Sequence, residues 1–253
     1  MKMNFIKNPL MIFRKNVKMA DLIHQNYLLL PVINRFGIEL GFGDKTIEEI
    51  CNIQKVNIDF FLEIVNTFHD KNYFPEKHLQ TFSITEIVEY LKITHEYFLS
   101  IKLCILEKYI DELFENTITE NREKLLLVKN FYKNYKNELI EHIDRENNIV
   151  YPYVLEIEQI FKLNQINEIQ RNKIKEYSIK KYENEHENVE EKLFDLKNLI
   201  IKYLPPSKNT NISNSILFEL FELENDLNDH QRIEEKVLIP KVNAMEEFII
   251  ENL

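Results

Sequence analysis

Only three glycines occur among the 253 residues, and all of them, Gly37, Gly41 and Gly43, fall within seven positions. Outside that short stretch the chain runs for long distances without a breaker, in segments rich in Leu, Ile, Glu, Lys and Asn. A sheet architecture needs a turn every few residues, and turns draw on Gly and Pro. With only seven prolines as well, the composition predicts an all-α fold built from long helices. A hydrophobic content of 44% is ample for a core.

The breakers divide the chain. ADLIHQNYLLLPVINRF and TIEEICNIQKVNIDFFLEIVNTF read as helices on either side of the glycine stretch, and Thr46 with Glu49 forms a capping-box signal for the second. Residues 15–70 are therefore expected to make a small helical module. A glycine-rich turn ahead of a helix can cradle phosphate; termination of a helix by residues that tolerate positive φ is the plainer reading. Residues 71–82, KNYFPEKHLQTF, lack periodicity and read as a linker. Ser83 and Glu86 offer another capping box. Residues 83–250 then carry four helical patterns, at about 84–116, 120–163, 167–203 and 212–250. Weak breaks lie at Asn116–Thr119 and Leu163–Asn167, and a strong one at LPPSKNTNIS. Long helices joined by short connections predict an up-down four-helix bundle.

Within that bundle region the chain repeats itself. Residues 141–152 read EHIDRENNIVYP and residues 229–240 read DHQRIEEKVLIP. Each has an acid, then His, then Glu four residues later, then an apolar pair, then Pro ten residues after the His. The pairs are His142 with Glu146 and His230 with Glu234, and at i,i+4 both side chains share one helix face. His95 precedes His142 by 47 residues and His186 precedes His230 by 44. The two halves are thus similar hairpins, each with a single His on the way out and His-x-x-x-Glu on the way back. An isolated His-x-x-x-Glu is cheap in a Glu-rich chain, as His186 and Glu190 show. The duplicated context, the matched proline and the matched hairpin spacing are not.

Four imidazoles and two carboxylates without a thiolate suit iron or manganese better than structural zinc. The His-Glu-x-x-His zinc signature is absent, and the Glu-x-x-His of ferritin-like di-iron sites appears here with order and spacing reversed. The net charge of −10 argues against a nucleic-acid partner. No apolar run approaches the length of a membrane span. The opening MKMNFIKNPLMIFRKN lacks the small-residue cleavage site of a signal peptide. Cys51 and Cys104 make no disulfide framework, and a reducing cytoplasm fits.

On these residues the chain resembles the hemerythrin-like HHE cation-binding domain, and within it the iron–sulfur cluster repair di-iron proteins. The resemblance implies that His95, His142, Glu146, His186, His230 and Glu234 hold two non-haem iron ions, joined by an oxo bridge and by the two glutamates. Blood-type hemerythrin has a fifth His and an Asp where this chain has Glu190 and Glu234. The resemblance further implies O₂, nitric oxide or peroxide as ligands, iron–sulfur proteins as partners, and repair of clusters damaged by oxidative or nitrosative stress. Sensing or storage of O₂ or nitric oxide is the alternative, and whether the chain is an enzyme stays open. The repair family carries a small helical N-terminal domain with two adjacent cysteines in a glycine-flanked turn. Here that stretch reads Gly37-Ile38-Glu39-Leu40-Gly41-Phe42-Gly43-Asp44, with Gly41 and Phe42 in the cysteine positions. Phe42 is expected to be exposed there for docking; Glu138 and Glu190 can face the bundle interior near the metals, and solvent-facing positions in a Glu-rich chain are the plainer reading.

Overall fold

A computed structural model describes residues 12–115, 122–184, 189–204 and 210–252. Among them there are helices and no strands. The chain divides between Phe82 and Ser83 into two compact units.

In the first unit each expected helix is broken once. Helix α1 (Met19–Gln25) gives way to a 3₁₀ turn at Tyr27–Leu29 and then to α2 (Leu30–Asn34). The break falls at Asn26, which is extended and whose side chain accepts from the Leu28 amide. Helix α3 (Ile47–Gln54) starts at the Thr46/Glu49 capping box and stops at Lys55, which adopts φ 58°. Asn57 then caps α4 (Ile58–His69). Asn favours such caps because its side chain satisfies amides that have no partner inside the helix. All three glycines have positive φ, so the stretch reverses the chain where a Cβ would be strained. The start of α3 is closed by the Glu49 carboxylate on the Thr46 amide, which favours the termination reading of the turn. Phe42 is 7% exposed, which corrects the expectation of an exposed ring; its neighbour Leu40 is 71% exposed instead. Residues 71–82 hold the short helix α5 (Glu76–Leu79), a fully buried Leu79, and Phe82 set edge-on to Phe60.

The second unit is built from helices that pass through π turns. Helix α6 (Ile84–Tyr97) continues through a π turn at Phe98–Lys102 into α7 (Leu103–Glu115). Helix α8 (Arg122–Arg145) continues through Glu146–Val150 into α9 (Tyr151–Leu163). Helix α13 (Thr210–Ile233) continues through Glu234–Leu238 into α14 (Ile239–Asn252). The remaining pattern is α10 (Glu168–Glu176), α11 (Ile179–Asn184) and α12 (Val189–Tyr203). Helix α7 packs on α8 and α13, α12 on α8 and α13, α6 and α14 on α9, and α11 on α14. First halves thus meet second halves, so sequential long helices run antiparallel. One end of the unit is filled by Phe98, Leu106, Tyr135, Leu139, Leu196 and Leu220, all essentially out of solvent.

The third pattern was expected to be continuous and is not. Tyr177 is extended and ends α10, so that the Ile179 amide turns inward to donate to the buried Glu246 carboxylate at 3.0 Å. Tyr153 donates to the same oxygen. A matching arrangement closes the other hairpin. The Glu158 carboxylate accepts from the Ile84 and Thr85 amides and from the Thr85 hydroxyl, at 2.8, 3.2 and 2.6 Å. Glu158 and Glu246 each stand sixteen residues after the repeat His, so the duplication extends below the proline. Each carboxylate caps the outgoing helix of its own hairpin, where the helix dipole and free amides favour a negative charge.

Two outcomes follow. Residues 83–253 expressed alone should fold with a helical circular-dichroism signal and a cooperative melt; a non-cooperative melt would contradict an independent core. Glu158→Ala should cost about 1–3 kcal/mol at neutral pH by stranding amide donors, whereas Glu156→Ala, which removes only a surface ion pair with Lys173, should cost about 0.5 kcal/mol or less. Burial works to raise the Glu158 pKa, but donors from Thr85, Lys162 and Ile84 outweigh it and hold the pKa below the ordinary value. Its contribution is therefore present above the ordinary carboxylate range and is lost as pH falls through and below it. Denaturant unfolding at pH 7 and pH 3 should show the Glu158→Ala deficit shrinking.

Candidate metal centre

The π turns mark the site. Each contains hydrogen bonds from residue i+5 to residue i: Leu103 to Phe98, Tyr151 to Glu146, and Ile239 to Glu234. Two of the three begin on the Glu of the repeat. The matched prolines, Pro152 and Pro240, lie just beyond these turns. A proline within a helix lacks an N–H and crowds the carbonyl four residues back, and a widened turn relieves both problems. Single π turns inside α-helices are frequently found at functional sites. Here they also bring a residue and its fifth successor onto nearly the same face, which a regular helix of about 100° per residue does not do.

Four of the six candidate residues converge. One ligand atom each from His95, Glu146, His230 and Glu234 lies within 4.8 Å of all the others, and all four residues are buried. His95 Nε2 is 2.9 Å from His230 Nε2 and 3.1 Å from Glu146 Oε2. His230 Nε2 is 3.6 Å from Glu234 Oε1. His142, the fifth candidate, stands beside them with Nε2 3.2 Å from Glu146 Oε1 and is partly exposed. The sixth, His186, and the side chain of Glu190 lie outside the described residues. Glu138 does not face the site: it pairs with Lys192 at 2.5 Å.

The donor set fits a cation. His95 Nδ1 is 3.0 Å from the Asn147 side-chain oxygen, so Nδ1 carries the proton and Nε2 presents its lone pair to the cluster. That lone pair lies beside a second imidazole nitrogen and two carboxylates, a set of buried donor atoms that a cation would satisfy. The field of the site says the same. Burial works to lower the pKa of His95 and of His142, but the hydrogen bond and charge of Glu146, aided by Glu234, outweigh it and raise both. Neighbouring donors on an ion with bonds of about 2.1 Å lie roughly 3 Å apart, close to the distances found here.

Two tyrosines, which sequence reasoning missed, complete the arrangement. The Tyr151 phenol donates to Glu234 Oε1 at 2.7 Å, and the Tyr182 phenol donates to Glu146 Oε1 at 2.5 Å. Both rings are buried, and burial followed by the carboxylates' charge pushes both phenols well above their ordinary pKa. They remain neutral donors. Neither tyrosine lines the cavity of about 10 Å³ that is walled by Phe98, Leu139, Ile143 and Leu227 together with Gln231 and the cluster. It has room for about one water-sized molecule.

Comparison with known proteins agrees with this geometry. Residues 86–242 match the hemerythrin HHE cation binding domain, and the chain belongs to that family. It is also similar to the iron-sulfur cluster repair protein ScdA of Staphylococcus haemolyticus (strain JCSC1435), at 20% identity over 225 residues, which covers 88% of this chain and 96% of the relative. That alignment takes in the N-terminal unit as well as the second. The buried His and Glu cluster could hold a metal ion, and among the described residues no helix is long and apolar enough to cross a membrane.

The cluster makes a direct test available. His230→Ala should weaken binding of ferrous iron to the metal-free protein, measured by anaerobic titration calorimetry, by more than the roughly 10–100-fold that neighbours of ligands cost. His24→Ala and His78→Ala, in the first unit, should leave it unchanged. Equal losses in both groups would place the cation elsewhere.

Proposed function

We propose that this chain is a cytoplasmic iron–sulfur cluster repair protein that holds two non-haem irons between His95, His142, Glu146, His186, His230 and Glu234. The observation that supports it most is the buried convergence of imidazoles and carboxylates at π turns. The extended similarity to a protein named for cluster repair supplies the biological direction. When bound, such irons supply exchange between ferrous and ferric states and open positions for O₂, nitric oxide or peroxide.

The chain's own groups prepare the site. Asn147 fixes the His95 tautomer. The ring of Phe98 meets His230 edge-on at 5.7 Å and limits its rotation. Glu146 and Glu234 keep the site negative, so that cations are drawn in and their charge is balanced. The apolar wall of Phe98, Leu139, Ile143 and Leu227 suits a small uncharged ligand.

Sensing or storage of O₂ or nitric oxide is the second reading, and the N-terminal unit favours it. Gly41 and Phe42 carry no thiol, and burial pushes the Cys51 thiol up to about 11, so it stays protonated and unreactive.

Protein made in iron-replete cells should contain about two irons per chain by elemental analysis, as a di-iron bundle requires. One zinc and no iron would contradict the proposal. Iron-loaded protein should restore activity to aconitase inactivated by nitric oxide; iron content without restoration would select the sensing reading.

A further inference from the structure

Tyr151 and Tyr182 connect opposite halves of the duplicated site. Tyr151 follows the His142/Glu146 pair but donates to Glu234, in the second hairpin. Tyr182 belongs to the second hairpin but donates to Glu146, in the first. Each contact crosses between hairpins. Tyr151 does more than donate: its ring lies parallel to the His95 imidazole, with a 9° interplanar angle and centroids 5.4 Å apart, and its oxygen is 3.4 Å from His95 Nε2. The guanidinium of Arg145 covers the Tyr182 ring at 5.5 Å. Tyr151 is not duplicated in the repeat. The residue nine places after His142 is Tyr151, and the residue nine places after His230 is Ile239.

We propose that Tyr151 and Tyr182 are positioning residues of the metal centre, each phenol holding the carboxylate of the opposite hairpin in the orientation a cation requires. This rests on the metal-site reading above. A carboxylate has more lone pairs than one ion uses, so a phenol can occupy one of them and leave the others directed at the metal. Without that donor the glutamate oxygen that the phenol shares with the neighbouring imidazole, Glu146 Oε1 beside His142 and Glu234 Oε1 beside His230, loses its second fixed contact and the carboxylate is freer to turn. Neither phenol lines the small cavity, whose wall is Phe98, Leu139, Ile143 and Leu227 with the cluster itself.

Cobalt(II) is the probe, added without oxygen to the metal-free full-length protein, with affinity and the visible ligand-field bands read together. Tyr151→Phe keeps the ring stacked on His95 and removes only the donor; Tyr182→Phe does the same at Glu146. Each variant is expected to bind cobalt about 10–100-fold more weakly and to show shifted bands at saturation, while His95, still stacked, keeps its place in Tyr151→Phe. Tyr151→Leu, which loses the stack as well, should be weaker than Tyr151→Phe. A purely structural role would lower the melting temperature of the metal-free protein and leave the saturated band positions unmoved, and that outcome overturns the proposal. So does unchanged affinity in both Phe variants. If either Phe variant fails to fold, the other, read by the same bands, decides. Failure of the wild-type protein to bind cobalt would instead overturn the metal-site reading itself.

Discussion

Two carboxylates, Glu146 and Glu234, sit in the middle of an apolar helical bundle at 1% and 4% exposure, and much of the second unit is arranged around that fact. A buried carboxylate without compensation costs several kcal/mol. Here imidazoles and phenols on the surrounding helices supply compensation: His95 and His142 stand beside Glu146, and the Tyr182 and Tyr151 phenols donate to Glu146 and Glu234. The contrast with the rest of the core is instructive. Lys102 is also buried, but it is paired with Glu219 and Glu222 at 2.7 Å each, and Lys197 is paired with Glu224. Those charges are neutralised by full ion pairs. Glu146 and Glu234 are instead set among imidazole nitrogens and phenols, groups that can also share a cation.

The helices accept this arrangement by departing from regular geometry at the same level. Three π turns lie within one turn of His95, His142 and His230. They widen the helices where the polar groups must converge, and they rotate the segments that follow. Below them the paired carboxylates Glu158 and Glu246 fasten the start of each outgoing helix. The duplicated hairpin is therefore anchored twice over, at the polar centre and at its base, with the apolar layers on the far side.

Much of this was legible in the sequence. Scarcity of glycine and proline gives the all-α class. The repeat singles out His142, Glu146, His230 and Glu234 as candidates and the hairpin spacing adds His95; His95, Glu146, His230 and Glu234 come together. The matched proline was visible as well, though its physical meaning, a π turn just before it, was not. The tyrosines escaped because the reading followed the repeat, and they are where the two halves differ. The break at Tyr177–Ser178 was hidden because no Gly or Pro marks it; a buried acceptor sixty-seven residues away draws the Ile179 amide inward. Phe42 was misplaced by the assumption that a ring between glycines stays outside, when the glycines are what allow the turn to fold it in. In each case the missing information was long-range, and helix propensity and local spacing are short-range signals.

Buried imidazoles and carboxylates, and no thiolate, are proposed to hold a pair of irons within the bundle. Iron X-ray absorption on protein purified from iron-replete cells reads this directly. The expected spectrum has a first shell of nitrogen and oxygen alone, with imidazole scattering and a second iron beyond it. A sulfur shell, or a single iron with no iron neighbour, would contradict it.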